Sequence, residues 1–118
     1  MNDNTLNETD LAYFTGTTNW YQHSLTTVVY TDGVQFMAER GKAYWLIDEI
    51  ATSQMIKHVH QEPFQVWILK VQEKSATLTC EDGNDRTVYV KKIPYTNFPL
   101  PEIKLYFVDN VMMLPSEY

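Results

Sequence analysis

"FQVWILKV", Phe64 to Val71, is the stretch on which the reading of the fold turns. It is apolar apart from Gln65 and Lys70, and rich in β-branched and aromatic residues. A run this short and this apolar reads as a central strand with both faces covered. The chain downstream of Val71 reads as more sheet. "SATLTC" alternates, with Ala76, Leu78 and Cys80 on one face, and "EDGND" is a turn signal around Asp82-Gly83. "RTVYVKKI" supplies the returning strand, and "EIKLYFV" and "VMML" supply two more around a turn at Asp109-Asn110. Between them lies "PYTNFPLP", whose Pro94, Pro99 and Pro101 cannot donate to a ladder, so it is expected as an ordered crossing loop.

Upstream of Phe64 the period changes. In "KAYWLIDEIATSQM", Ala43, Leu46, Ile47, Ile50 and Ala51 recur at steps of three and four and predict a helix. Trp45, Asp48, Glu49 and Thr52 fall on its opposite side. Thr31 or Asp32 can cap an earlier helix, with Val34, Met37 and Ala38 on one face and Gly41 at its end. "NWYQHSLTTVVYTDG" predicts a strand within Trp20 to Tyr30, and "NETDLAYFTG" a short helix capped by Asn7 or Thr9. Residues 1–7 are polar and expected to be loose. Helices early and strands late predict an α+β fold, N-terminal helices packed on a mainly antiparallel, meander-like sheet. The length of 118 residues fits one domain, 1–118.

Composition narrows the function classes. Net charge is −6, from 15 acidic and 9 basic residues. No Lys or Arg precedes Arg40, so Asp3, Glu8, Asp10, Asp32 and Glu39 give the first 39 residues a charge of −5. Phosphate backbones attract basic faces, so no nucleic-acid partner is expected. A single cysteine, Cys80, forms no intrachain disulfide and fits a reducing, cytoplasmic setting. The first ten residues carry no secretory pattern, and no apolar run approaches the roughly 18 residues of a membrane span, so no membrane association is expected.

Candidate chemistry is sparse. In "KHVHQEPF", His58, His60 and Glu62 alternate, and on an extended backbone they would share one side as a metal triad. The stretch comes directly after a helix, however, and helical residues two apart diverge. The metal reading is therefore the weaker alternative, and no metal or other cofactor is expected. Cys80 alternates with Ala76 and Leu78, which predicts a buried, inert thiol rather than a nucleophile. Four glycines, at 16, 33, 41 and 83, make no phosphate loop. The better functional candidate is the face of Trp45, Asp48, Glu49 and Thr52, since an aromatic among polar groups often anchors an interface. The plain alternative is that another part of the same domain covers the indole.

"LAYFTGTTNWYQH", "YTDGVQFMAERGKAYWLIDEIATSQ", "IPYTNFPLPEIKLYF" and "MMLPSEY" resemble an uncharacterised bacterial family, met in cyanobacteria and on plasmids. The resemblance spans most of Leu11 to Tyr118. It implies a single complete domain of unknown function in an accessory genetic context, and it brings no catalytic residues. The sequence thus reads as a small acidic cytosolic interaction module, binding a protein partner or itself, and leans away from an enzyme without deciding the point. The alternative is a small-molecule-binding protein or small enzyme with a pocket between helix and sheet.

Overall fold

The computed structural model describes residues 5–118. The elements run α1 (Glu8–Ala12), β1 (Trp20–Gln22), β2 (Val29–Thr31), α2 (Asp32–Gly41), α3 (Tyr44–Ser53), α4 (Lys57–His60), β3 (Phe64–Gln72), β4 (Ser75–Glu81), β5 (Thr87–Ile93), β6 (Glu102–Val108) and β7 (Val111–Met113). A single 3₁₀ turn, Pro115–Glu117, comes last. The fold is α+β, as expected.

The seven strands form one sheet in the order β1-β2-β7-β6-β3-β4-β5. The local pairings match the turn signals. β4 and β5 meet across Asp82, whose Oδ1 accepts the N–H of Asn84 (2.7 Å) and of Arg86 (3.2 Å). β6 and β7 meet across Asp109 and Asn110, both left-handed, at φ 53° and 66°. Such a two-residue turn suits the twist of the flanking strands.

Two expectations need correction. The sheet is mixed rather than a simple antiparallel meander, because β2 pairs in parallel with β7 through Val29↔Val111 and Tyr30↔Met112. That pairing joins distant parts of the chain through three-residue strands, too short to show a period. The helices are also not all N-terminal to the sheet, since β1 and β2 precede α2. Of the stretch 1–7, residues 1–4 lie outside the described residues, while Leu6 is buried and the Asn7 side chain caps α1.

The core lies between the helices and one sheet face. Val34, Met37 and Ala38 of α2 join Leu46, Ile47, Ile50 and Ala51 of α3 in one cluster with Trp67, Leu69, Leu78, Cys80 and Leu105. On β3, the residue directly opposite Trp67 is Cys80 on one side and Leu105 on the other. The Cys80 thiol is buried, and burial, with the charges of Glu62, Glu81 and Asp82, pushes its pKa up to about 12. Burial and a raised pKa are the pattern of a structural cysteine rather than a nucleophile.

Gln65 is the exception in β3, only 1% exposed on the core face. Its Oε1 accepts from the Trp67 indole N–H and from Gln54, both at 2.8 Å. Its amide N–H groups donate to Gln54 Oε1 and to the Val59 carbonyl, each at 2.9 Å. One side chain thereby ties α3, α4 and β3 together and satisfies the buried indole.

Candidate functional site

The path of the chain between α2 and α3 shapes the most developed concavity. α2 ends on Gly41, and a Cβ built there would lie 2.8 Å from Phe98 Cε1. Glycine is needed for that close approach, so the left-handed residue that ends the helix is Lys42 instead, at φ 52° and ψ 47°. Sequence reasoning places the stop at Gly41; packing against Phe98 moves the turn one residue on. α3 then begins without a side-chain cap and carries Trp45 in its first turn.

The opposite wall is the Pro-rich loop. Thr96 fastens it twice, with its N–H donating to the Lys74 carbonyl (2.7 Å) and its hydroxyl accepting from the Phe98 N–H (3.1 Å). Phe98 and Leu100 are buried, while Tyr95, Asn97 and Pro99 face outward. The floor is β5, one of the two edge strands. Between these parts lies an open cleft of about 950 Å³.

Its charge is opposite to that of the chain as a whole. Four of the nine basic residues line it, Arg40, Lys42, Lys91 and Lys92, against one carboxylate, Glu49, although Lys92, one residue on from Lys91 in β5, projects its side chain from the opposite sheet face. Lys91 lies opposite Leu78 on the helix-facing side of β5, and its Nζ is 2.8 and 2.9 Å from the two carboxylate oxygens of Glu49. Those bonds, with the attraction of the carboxylate, raise the Lys91 pKa. Arg40 sits 4.8 Å over the Phe36 ring. Among the described residues, Arg40, Lys42 and Lys92 make no ion pair.

The face expected around Trp45 is divided by the structure. Trp45 is half-buried, packed against the edge of the core, and it lines the cleft together with Glu49. Asp48 points elsewhere, its Oδ1 2.7 Å from His23 Nε2. The Thr52 hydroxyl donates to the Asp48 carbonyl (2.8 Å), within its own helix. The helical phase was legible in sequence; the neighbours that claim each side chain were not.

His58 and His60 lie on the single turn of α4, and Glu62 pairs with Arg86, so the three do not converge. Among the described residues no group of three His, Cys, Asp or Glu side chains is placed to hold a metal ion.

Sequence reasoning missed a contact around His23, which is 5% exposed. A carboxylate only accepts, so Nε2 carries the proton toward Asp48. Nδ1 accepts from the Thr26 hydroxyl at 3.0 Å and from the Leu25 N–H at 3.4 Å. The order hydroxyl, imidazole, carboxylate resembles a nucleophilic triad. The Thr26 oxygen, however, also accepts the Val28 N–H (3.2 Å) and closes the β1–β2 loop. The group staples that loop to α3. Only the His-x-x-Thr spacing hints at it in sequence, and nothing local marks Asp48.

A smaller hollow of about 320 Å³ lies beside exposed Trp20 and includes Asp109 and Glu117 but no basic side chain among the described residues. The Trp45 cleft is thus the concavity that combines an aromatic ring with positive charge left without an ion-pair partner among the described residues.

An α+β domain with a basic cleft between helix and sheet edge is the class that fold and site define. The chain belongs to a family of unknown function, DUF6876, which matches residues 5–118. No curated protein and no solved structure was found to match it. No helix among the described residues is long and apolar enough to cross a membrane.

Proposed function

We propose that this chain is a single-domain cytoplasmic binding module and that the Trp45 cleft is its site for an anionic small molecule. One observation carries the reading: an acidic chain gathers the cations Arg40, Lys42 and Lys91 around one concavity with a half-buried indole in its wall. Ligand sites are typically concave, largely apolar, and oriented by a few placed charges. The volume of about 950 Å³ lies near the upper end of the range for small-molecule pockets, roughly 300–1,000 Å³. A flat protein-binding face over Trp45, Asp48, Glu49 and Thr52 fits less well, because Asp48 and Glu49 already hold His23 and Lys91. The accessory genetic context implied by the sequence resemblance is compatible with such a module.

The test is a screen of neutral and anionic aromatic fragments, read by backbone amide shifts. Anionic fragments should perturb residues 40–45 and 91–97, and Trp45→Leu should abolish the effect. Perturbations gathered instead at Trp20, or none at all, would reject the cleft as the site.

A further inference from the structure

The helices pack on one face of the sheet. We propose that the other face is a self-association surface, on which a second copy of this chain packs sheet against sheet. Strand alternation assigns the faces. Trp67 and Leu69 belong to the core cluster with the helices, whereas Val66 and Ile68, each 8% exposed, stand outside it. Ile68 lies opposite Thr79 of β4, and Thr79 opposite Val90 of β5. Val66 lies opposite Tyr106 of β6, and Tyr106 opposite Met113 of β7. This middle band carries no charge beside those residues, and Val90 is 52% exposed within it. Beside it the rings of Phe64, Tyr106 and Tyr118 pack on one another, with centroids 5.1, 5.3 and 5.5 Å apart.

The face is large enough for a stable pair. β3 to β6 each run seven residues or more, with the shorter β2 and β7 alongside. At about 4.8 Å between strands and about 3.3 Å per residue, such a face covers roughly 500 Å², and two of them roughly 1,000 Å², the size a specific interface needs. Sheets that pack face to face interdigitate side chains of this kind.

Charge selects the occupant. At one end of the face Glu102, Lys70 and Lys92 stand in one row with Thr77, and Lys104 lies opposite Ile68 a step inward. At the other end Glu81 lies opposite Val66, and the turns beyond carry Asp85 and Asp109. Arg86, in the same turn as Asp85, is already held by Asp82 and Glu62. Among the described residues, those three lysines and Glu81, Asp85 and Asp109 make no ion pair. The face is therefore basic at one end of its strands and acidic at the other. Such a face is its own complement. A two-fold axis lying across the strands sets basic end over acidic end twice, whereas an axis along the strands would set like ends together. The pair uses the first axis. Lys92, which turns away from the Trp45 cleft, meets opposite charge in the second copy, and the cleft stays open on the helix side.

Sedimentation equilibrium of the full chain over a range of concentrations should show a monomer–dimer equilibrium. Val90→Asp, at an exposed position, should weaken it at least about tenfold while thermal melts show an intact fold. A reversed charge acts at both symmetric contacts, so Lys92→Glu and Glu81→Lys should each weaken the dimer about tenfold. Mixed in equal amounts, those two variants should recover association close to that of the parent, because each reversed end then meets an opposite charge. A chain that stays monomeric at the highest concentration reached would overturn the proposal and leave the face to a foreign partner. A dimer indifferent to Val90→Asp would place the contact elsewhere and overturn it too. Folded charge variants that do not recover on mixing would reject the pairing of unlike ends.

Discussion

Asp32 shows how much a single side chain can hold. Its Oδ2 accepts the N–H groups of Thr18 (2.9 Å) and Asn19 (3.2 Å), and its Oδ1 accepts the Tyr21 hydroxyl (3.0 Å). The Thr18 bond contributes most, and together these bonds hold the carboxyl pKa at about 2 against the opposing effect of burial. A carboxylate with a lowered folded-state pKa stabilises the fold above its ordinary value of 3.8, and that stabilisation is lost as pH falls through about 2. Asp32→Asn should therefore melt below the parent at neutral pH, and the two melting curves should converge across that acid window. A gap that stays constant down to the lowest pH would show that the ionised carboxylate is not what matters. Sequence places Asp32 at a helix start and nothing more. Its partners sit on the loop before β1 and on β1 itself, more than ten residues away, and no periodicity signals them.

At the scale of elements, legibility rose with length. The stripe of α3 and the alternation of β4 and β6 span enough residues to fix their faces, and Ile47, Ile50, Leu78 and Leu105 are all buried accordingly. Gln65 was not legible, because a polar residue in an apolar strand gives no hint that an indole and an amide await it. The cleft was only half legible: the Trp45 face comes from helical phase, but Arg40, Lys91 and Lys42 reach it from α2, β5 and the turn between helices. That turn yields a prediction. Lys42→Gly should relieve about 1–2 kcal/mol of left-handed strain, less the greater unfolded-state entropy of glycine. A net gain of about 0.5–1 kcal/mol in denaturant unfolding is expected. A destabilised Lys42→Gly protein would mean that the lysine stem contributes packing that outweighs the strain.

Across the whole molecule, the sheet consists of a locally connected part and a distant closure. β3, β4 and β5 succeed one another through short turns, as do β6 and β7. The closure brings β2 against β7 and is fastened by Glu117. That carboxylate accepts the Thr31 hydroxyl (2.6 Å), the Gly33 N–H (3.1 Å) and the Leu114 N–H (2.9 Å). A Cβ on Gly33 would lie 2.6 Å from that same carboxylate, so glycine is what lets it seat. Thr31 and Glu117 are 86 positions apart, and loop-closure entropy opposes such contacts until the rest of the sheet exists. Glu117→Ala is expected to cost about 1–3 kcal/mol, the range for donors left without an acceptor. Stopped-flow kinetics should show that loss almost wholly as faster unfolding, with the folding rate little changed. A folding arm slowed by the full amount would place the closure early instead.

The same closure sets where the native molecule breathes. The Val29 amide donates to the Asn110 carbonyl at 3.0 Å, and only two residue pairs join β2 to β7, against seven between β3 and β4. Solvent deuterium should therefore enter at Val29 through a local parting of the sheet, long before it reaches Trp67 or Leu69. The two edges bared by that parting are each three residues long. Edges so short make poor templates for another chain, so the molecule opens where opening carries little risk of aggregation.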